Sequence, residues 1–510
     1  MSLQEHDEQL QSFKQYIRKL KAYHEAIGLI YWDMRTGAPR KGLESRAEAV
    51  GELSAESFRM SVSEQMSNYL NYLTQPEVME KLDAVERRMV QECKRDYDFS
   101  KKIPADKYQA YVVLTSQAEA AWEDAKGKND WAGFAPYLEK IVATNKEFIE
   151  LWGYERNPYD TLLDMYEPGM TVAKLDEVFG ALREKVVPLL AAVSQSPNQP
   201  ERGFLDQPFG KEQQRAFSMF ILNELGFNFE AGRLDETVHP FATGLNPGDV
   251  RITTRFLPDD VASALFSTIH ECGHAMYEQN ISDTLVGTNL CTGTSMGIHE
   301  SQSRFWENVV GRSEQFWKQY YPKLQETFPE QLGNVDVDSF YRAINHSEPS
   351  LIRTESDELT YNLHIMIRYE LEKALYNGQI EVADLPDAWN TKYKEYLGVV
   401  ADNYSEGILQ DVHWSGGMFG YFPSYALGNM YAAQMLYACI LKELPNFYEL
   451  IEAGNLAPIK ELLTKHVYQY GKQLTPNDII QQMTGEELNP EYLVRYLTEK
   501  YTRLYDLQTV

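Results

Sequence analysis

Residues 270–274 read HECGH, a segment with the residue types and spacing of a metal-assisted hydrolytic site. Residues four apart on an α-helix share a face, so the imidazoles of His270 and His274 could both reach one divalent cation. Catalytic zinc is typically held by three protein ligands and keeps an open position for water. Glu271 lies about 100° around the helix from His270 and could accept a proton from that water. The segment therefore predicts amide hydrolysis with Glu271 as the general base.

The third metal ligand is predicted to be a glutamate on a second helix. In one known arrangement a third histidine ligand follows six residues after the second. Position 280 is Asn280, which excludes that arrangement here. Residues 295–310 read as a helix that contains Glu300, and the loop before it is long enough to return antiparallel. We predict Glu300 as the ligand and Glu307 as the second choice. The alternative for Glu300 is an exposed helix carboxylate without a metal. His299 is predicted to point to the other side of that helix.

The helix that carries the two histidines is predicted to be at least half buried. It follows Pro258 and can be capped by Asp259 or Asp260. Buried histidines beside a buried glutamate are costly without a metal or full pairing, which favours the metal over a pair of core or surface histidines. The apolar flanks that predict burial are Leu265, Phe266, Ile269 and Met276.

The pattern of apolar residues predicts a mainly α fold. Apolar residues recur at spacings of three and four in residues 9–33, and residues 76–100 and 104–127 are similar. Helical periodicity stops in residues 227–257, where glycine and proline appear, and residues 249–256 alternate polar and apolar side chains. We therefore predict a large helical fold with one small antiparallel sheet near residues 227–257.

The chain of 510 residues is long enough to split into domains, and 43% of it is hydrophobic. We find no repeat, low-complexity tract or flexible linker in it. The prediction is therefore a single domain over residues 1–510, formed as two lobes, with the catalytic segments within residues 239–425. Several domains are the alternative.

Charge and cysteine usage limit the partners and the compartment. With 48 Lys+Arg against 75 Asp+Glu, the net charge of −27 disfavours nucleic acid and anionic membranes, and its simplest role is solubility. The four cysteines form no CxxC pair, which suits a reducing compartment. Because no signal-like segment or membrane-length apolar run is visible, we predict a cytoplasmic location and no membrane partner.

Six segments of the chain resemble the carboxypeptidase Taq family of metallocarboxypeptidases, which is distantly related to neurolysin-like and angiotensin-converting-enzyme-like helical peptidases. In the family's arginine segment Ser356 takes the place of an alanine, whereas Arg353 and Asp357 are intact. Helical character and length extend the resemblance across nearly the whole chain. The segments are residues 239–241, 249–253, 270–274, 299–302, 352–357 and 407–414.

The resemblance implies a saddle-like helical fold with a deep active-site groove and a homodimer. It implies broad-specificity removal of C-terminal residues from peptides. It also implies one divalent metal per chain, with Zn²⁺ as the first choice and Co²⁺ or Mn²⁺ as alternatives for two histidines and a carboxylate.

The resemblance further suggests residues that contact the substrate. Arg353 would bind the C-terminal carboxylate of the peptide, since a guanidinium does this bidentately. The alternative for Arg353 is a structural ion pair with a nearby acidic residue. That neighbour would be Glu355, Asp357 or Glu358.

Five further residues complete the predicted site. His413 and Tyr425 look similar to the histidine and tyrosine that stabilise the oxyanion in the related peptidases, and Tyr421 competes for the second role. His239 and Arg251 bracket the predicted sheet, whose edge could pair with the peptide backbone. They could equally lack substrate contact.

Three functions are compatible with these residues. The leading prediction is a cytoplasmic metallocarboxypeptidase acting on short peptides. An oligoendopeptidase is the alternative with the same chemistry, and a metal-binding protein with a dead site is the alternative from another class. Glu271 argues against the last, because a pure binding site needs no general base.

Overall fold

Nine helices form the first part of the chain in the computed structural model, which describes residues 3–508 and the side chains of residues 6–508. The predicted helix over residues 76–100 is interrupted, because Asp83 starts a new helix through a capping box with Glu86. The helices are α1 (Leu3–Thr36), α2 (Leu43–Ser61), α3 (Glu64–Leu73), α4 (Pro76–Met79), α5 (Ala84–Lys101), α6 (Ala105–Lys128), α7 (Trp131–Trp152), α8 (Asp160–Tyr166) and α9 (Val172–Gln195).

The sheet follows helix α10 (Lys211–Leu225) and has three strands, β1 (Gly232–Glu236), β2 (Ala242–Asn246) and β3 (Asp249–Thr254). Strand β3 lies in the middle, antiparallel to β2 and parallel to β1. The prediction of an antiparallel sheet is therefore wrong for β1. Alternation along a strand reports which side chains are buried, whereas the direction of its neighbour depends on where the chain re-enters the sheet.

The sheet positions helix α11 (Val261–Gln279), which carries the HECGH segment. The Thr254 hydroxyl, at the end of β3, contacts the Ala264 carbonyl at 3.2 Å and the Ser267 hydroxyl at 2.8 Å. Of the two predicted caps, Asp260 is the one that accepts a hydrogen bond at the start of α11, from the Ser263 N–H. The start of α11 is thus held by Thr254 of β3 and by the Asp260 cap.

Helix α12 (Met296–Arg304) packs against α11, and α18 (Pro423–Met435) packs along α12 with nearly every residue buried. A helix buried on all sides belongs to the core. The remaining helices are α13 (Glu314–Thr327), α14 (Pro329–Leu332), α15 (Val337–Ile344), α16 (Glu358–Tyr376), α17 (Leu385–Leu397), α19 (Leu441–Glu443), α20 (Phe447–Glu452), α21 (Ala457–His466), α22 (Pro476–Thr484) and α23 (Glu491–Tyr505).

Short helical segments of other types connect these elements. π-Helical segments continue α12 over Phe305–Val310 and α18 over Leu436–Ile440. The 3₁₀ segments are Arg40–Gly42, Gly203–Leu205, Asp283–Leu285, Arg353–Glu355, Val382–Asp384 and Tyr468–Tyr470.

One connected hydrophobic cluster includes residues from Leu10 near the start of the described chain to Tyr505 near its end. The prediction of a mainly α fold with a small sheet is confirmed. Within residues 3–508, no helix combines the length and the apolar character that crossing a bilayer requires.

Candidate metal centre and active site

Helices α11 and α12 bring the three predicted metal ligands together. The Glu300 Oε2 atom lies 3.6 Å from His270 Nε2 and 3.5 Å from His274 Nε2. All three ligand atoms lie within 4.8 Å of one another. Ligand atoms about 2.1 Å from a tetrahedral cation lie about 3.4 Å apart, so this spacing fits a cation held between them. The donor set of two imidazoles and one carboxylate is that of a catalytic zinc site.

Close packing of the two helices depends on Gly273, which lies between the ligand histidines. A Cβ atom at this position would lie 2.6 Å from the Gln302 carbonyl oxygen and 2.6 Å from the Ser303 Cα. Any side chain at position 273 would therefore push α12 away from α11 and move Glu300 from the histidines. The glycine of the HECGH segment is a sequence signal for this contact.

Each ligand histidine uses Nδ1 for a contact within the protein and directs Nε2 to the ligand cluster. His270 Nδ1 lies 2.8 Å from Glu307 Oε2, and His274 Nδ1 lies 2.6 Å from His299 Nδ1. The chain of contacts continues from His299 Nε2 to Glu278 Oε1 at 2.9 Å. Such partners orient ligand imidazoles and set which nitrogen faces the metal.

The structure gives Glu307 a different role from that of second-choice ligand, and the predicted orientation of His299 needs correction. Glu307 is the hydrogen-bond partner of His270, while Glu300 faces both Nε2 atoms. His299 does not point away, since it contacts His274. Residues 299 and 300 both face α11 because α12 presses closely against it. The partner role of Glu278 was not predicted.

The charge states of the ligand side chains follow from burial and neighbouring charges. Burial lowers the pKa of His274 to about 4, which keeps the neutral form that binds metals. In His270 the charges of Glu300 and Glu307 outweigh burial and raise the pKa, so a cation would displace a proton there. Burial opposes ionisation of Glu300, but Arg304 and His270 outweigh it and hold its pKa well below the usual range.

Hydrogen bonds fix the Glu300 carboxylate at the centre of the cluster. Arg304 donates from Nε to Oε1 at 2.7 Å, and the Ser303 hydroxyl donates to Oε2 at 3.1 Å. Arg304 also donates to Glu307 Oε2 at 3.2 Å. One arginine therefore holds both the ligand carboxylate and the carboxylate that orients His270.

Glu271, the predicted general base, is buried beside the ligands with 7% of its surface exposed. Burial raises its pKa to about 7, although the charge of His270 opposes this shift. A carboxyl group that titrates near neutrality matches the demands of general acid–base catalysis. Cys272, within the same HECGH segment, is fully buried and packs in the core.

A second charged cluster contains Arg353, whose side chain is 7% exposed. Its Nε and Nη2 atoms donate to the two oxygens of Asp411 at 3.1 and 2.8 Å, and Nη1 donates to the Tyr361 hydroxyl at 3.1 Å. Arg368, which is fully buried, also contacts Asp411 at 2.6 Å. The carboxylate of this cluster lies 58 residues from Arg353 along the chain.

Two of the three neighbouring acids proposed as alternative partners of Arg353 have other roles, and Glu355 is exposed. Asp357 caps α16 by accepting from the N–H groups of Leu359 and Thr360. Glu358 pairs with Lys500 at 2.5 Å.

The predicted oxyanion residues lie together in the segment that follows residue 410. His413 Nε2 lies 3.3 Å from the Tyr425 hydroxyl, and the Tyr425 ring centre lies 5.2 Å from that of Tyr421. Burial lowers the pKa of His413 to about 4, so the ring is neutral. Burial is also the main cause that raises the pKa of Tyr425, and the nearby Glu300 carboxylate adds to this shift.

The other two predicted substrate residues belong to the sheet region. His239 is an exposed residue of the connection between β1 and β2. The Arg251 guanidinium donates to both oxygens of Asp249 at 2.7 and 2.8 Å and lies 4.7 Å from the centre of the Trp32 ring. In the described part of the chain neither residue shares a hydrogen bond or an ion pair with the three predicted ligands.

Comparison with known proteins places this arrangement in a family. The family model described as carboxypeptidase Taq (M32) metallopeptidase matches residues 12–501. The chain is 52% identical to Carboxypeptidase 1 of Bacillus subtilis (strain 168) over 493 residues, which cover 97% of this chain and 98% of that protein. It is 40% identical to Thermostable carboxypeptidase 1 of Thermus thermophilus over 496 residues, 95% of this chain and 96% of that one.

The fold is similar to that of solved structures. The M32 carboxypeptidase from Deinococcus radiodurans R1 superimposes with a TM-score of 0.94 at 36% identity, covering 98% of this chain and 100% of that one. As its six sequence segments predict, the chain belongs to the carboxypeptidase Taq (M32) family of metallopeptidases.

Proposed function

We propose that the chain is a metal-dependent carboxypeptidase that removes C-terminal residues from short peptides with broad specificity. The observation that carries this proposal is the convergence of His270, His274 and Glu300 beside the buried Glu271. The family to which the chain belongs consists of metallopeptidases, and the similar curated proteins are named carboxypeptidases.

One divalent cation per chain is proposed to occupy the ligand cluster. Two imidazole nitrogens and one carboxylate oxygen favour Zn²⁺, and Co²⁺ or Mn²⁺ suit the same ligands. A cation in this position supplies Lewis acidity and makes a coordinated water a better nucleophile.

Glu271 is proposed to move the proton of the reaction. Its carboxylate takes a proton from the attacking water and then delivers it to the nitrogen of the leaving amine. The position of Glu271, one residue after His270 and on the same buried helix, supports this role. A site that only stored metal would have no use for such a base.

The developing oxyanion is proposed to receive a hydrogen bond from Tyr425, with His413 assisting. Burial keeps the Tyr425 hydroxyl protonated, and its contact with His413 fixes its position. Tyr421, whose ring lies 5.4 Å from that of His413, is the alternative donor.

Arg353 is proposed to bind the terminal carboxylate of the peptide. A guanidinium has five N–H donors. Three of the five are used by Asp411 and Tyr361, which leaves one each on Nη1 and Nη2. Two arginines against one aspartate also leave positive charge in this cluster, which favours an anionic group.

His239 and Arg251 are retained as proposed substrate contacts. Exposure of His239 supports this for that residue. The contacts of Arg251 with Asp249 and Trp32 make a role in supporting the sheet the stronger alternative.

Three broader features are also proposed. A homodimer, a cytoplasmic location and a single domain over residues 1–510 are expected. Four buried free cysteines suit a reducing compartment, and the connected core supports one domain. Light scattering of the purified chain measures the oligomeric state. With a net charge of −27, neither nucleic acid nor a membrane is a proposed partner.

The test compares an unblocked peptide with its C-terminal amide by mass spectrometry, with Zn²⁺ or Co²⁺ added. Stepwise loss of C-terminal residues from the free acid alone, abolished in Glu271→Gln, is the expected result. Internal cuts in both peptides would indicate an endopeptidase and remove Arg353 from its proposed role. Absence of cleavage with every metal would contradict the enzymatic proposal.

A further inference from the structure

A cavity of about 350 Å³ lies beside the loop that follows His413. Backbone and side chains of residues 416–419 form one wall of it. This volume is within the range of roughly 300–1,000 Å³ that is usual for ligand pockets. We call it the aromatic pocket, because most of its other walls are aromatic rings. They include Phe99, Tyr108, Tyr111, Phe148, Trp152 and Tyr166.

Ring contacts hold the walls of the aromatic pocket in place. Phe99 stacks on Trp152 with ring centres 4.1 Å apart, and Tyr111 meets Phe148 edge-on at 5.2 Å. Gly417 closes the wall with a backbone φ of +73°, and a Cβ there would lie 2.0 Å from the Tyr111 hydroxyl oxygen. The pocket is therefore formed before any ligand arrives, which lowers the entropic cost of binding.

The aromatic pocket is connected to the residues proposed for catalysis. The ring of Tyr166 lies 5.1 Å from that of Tyr421 at an angle of 90°, and Tyr421 packs on Tyr425. A second cavity of about 370 Å³ shares Phe99, Met165 and Tyr166 with the aromatic pocket. This second cavity is also lined by His299 of the ligand helix. The two cavities are thus neighbouring parts of one groove beside the metal ligands.

The chemistry of the two cavities differs. The second cavity is lined by charged residues, among them Arg95, Asp164 and Lys472. Within the described chain, no Asp, Glu, Lys or Arg lines the aromatic pocket, and the polar side-chain groups that line it are neutral, among them hydroxyls and the amide of Asn145. In a chain with a net charge of −27, an uncharged aromatic pocket on a substrate groove favours an apolar group.

We propose that the aromatic pocket binds an apolar, preferably aromatic, side chain from one of the last two residues of the peptide substrate. The proposal rests on the proposed peptidase function. The aromatic pocket lies next to the loop of His413, and His413 contacts Tyr425. The Tyr425 ring centre lies 5.0 Å from the guanidinium of Arg353, the residue proposed to bind the terminal carboxylate. This position favours the end of the peptide that carries the carboxylate.

The test uses peptides that differ only by Phe or Ala at the last or the preceding residue. For one of these positions we expect kcat/KM to be at least about tenfold higher with Phe. Two variants fill the pocket. Ser100→Trp changes a residue that lines only the aromatic pocket, and Met165→Trp changes an exposed wall residue. Both are expected to bring the Phe/Ala ratio close to one.

Met219→Trp is the matched control, since Met219 is also an exposed helical methionine but lies on α10 and does not line these cavities. It is expected to keep the wild-type ratio. Thermal unfolding of all three variants checks that they fold. Equal kcat/KM for Phe and Ala peptides in the wild type, or a ratio unchanged in both filling variants, would overturn the inference and leave the peptidase function intact.

Affinity gives a readout that does not need catalysis. The same peptides are titrated calorimetrically into the Glu271→Gln chain and into Glu271→Gln with Ser100→Trp. Binding at least about tenfold tighter with Phe, lost on filling the pocket, supports the inference even if no peptide is cleaved. Equal affinities for Phe and Ala would contradict it.

Discussion

Two buried charged clusters of this protein differ in how their atoms are arranged. Around His270, His274 and Glu300, three atoms of the metal-ligand type face one point. Around Asp411, by contrast, two arginines donate directly to the carboxylate oxygens. The first cluster has the ligand set that a divalent cation requires, whereas the second is held together by ion pairs within the fold. Burial of charge alone therefore does not identify a metal site, but convergent ligand atoms do.

The two clusters also differ in the groups they contain. The metal cluster contains the carboxylates of Glu271, Glu300 and Glu307, with Arg304 and Arg312 as nearby cations. The other cluster has two guanidinium groups and one carboxylate. The excess positive charge of the second cluster suits the negative end of a peptide with a free carboxylate.

Removal of a metal ligand is expected to have the largest effect. His270→Ala or Glu300→Gln should abolish stoichiometric Zn²⁺ binding and reduce peptide hydrolysis to background, because two remaining ligands cannot hold a catalytic ion. Metal content by mass spectrometry and hydrolysis rates measure this. His346→Ala, a change at a histidine that contacts Arg202, is the control and should retain both. Full metal binding in Glu300→Gln would contradict the proposed ligand set.

Of the two buried clusters, the one around Asp411 should contribute more to the free energy of unfolding. Asp411→Asn leaves two buried guanidinium groups without their carboxylate and should cost about 3–5 kcal/mol of unfolding free energy. Asp249→Asn breaks the more exposed pair with Arg251 and should cost about 1 kcal/mol or less. Urea unfolding of both variants measures the difference. Equal losses would show that the buried cluster is not held by Asp411.

Substitution of Glu307, the hydrogen-bond partner of His270, should lower metal affinity less than substitution of a ligand. Glu307→Gln removes the charge that orients His270 and should weaken Zn²⁺ binding about 10–100-fold without abolishing it. Competition with a chelator of known affinity gives the dissociation constant. A complete loss of binding would assign Glu307 to the ligand set instead of Glu300.

Glu372 is a buried carboxyl group whose hydrogen-bond donors are all neutral. It accepts from the Tyr159 hydroxyl, Trp414 Nε1 and the Gly420 N–H, yet burial raises its pKa to about 7. The folded state then keeps a proton that the unfolded state loses above its ordinary pKa of 4.5. The stability contributed by this group is therefore complete below pH 4.5 and lost as pH rises to about 7.

Glu372→Gln should remove this contribution to the pH dependence. The slope contributed by one proton is at most about 1.4 kcal/mol per pH unit. Urea unfolding at pH 5, 6 and 7 measures the slope in the wild type and the variant, and Glu123→Gln on an exposed helix face is the control. An unchanged slope would mean that the three hydrogen bonds keep Glu372 ionised.

Local spacing was enough to predict much of the chemistry. The four-residue separation of His270 and His274 puts both on one helix face, and Glu271 beside them follows from the same helical geometry. The mainly α fold, the Asp260 cap and the partnership of Asp249 with Arg251 also depend on residues close in sequence. Such features are determined locally because backbone periodicity and capping involve only a few neighbouring residues.

Tertiary packing decided which distant residues meet. Strand β1 lies parallel to β3, Arg353 pairs with Asp411 instead of its near neighbours, and His299 faces α11. The aromatic pocket likewise combines residues from α2 to the loop after His413. The sequence pattern does not predict these pairings. Their side chains come within bonding distance only when close-packed helices fill a shared core.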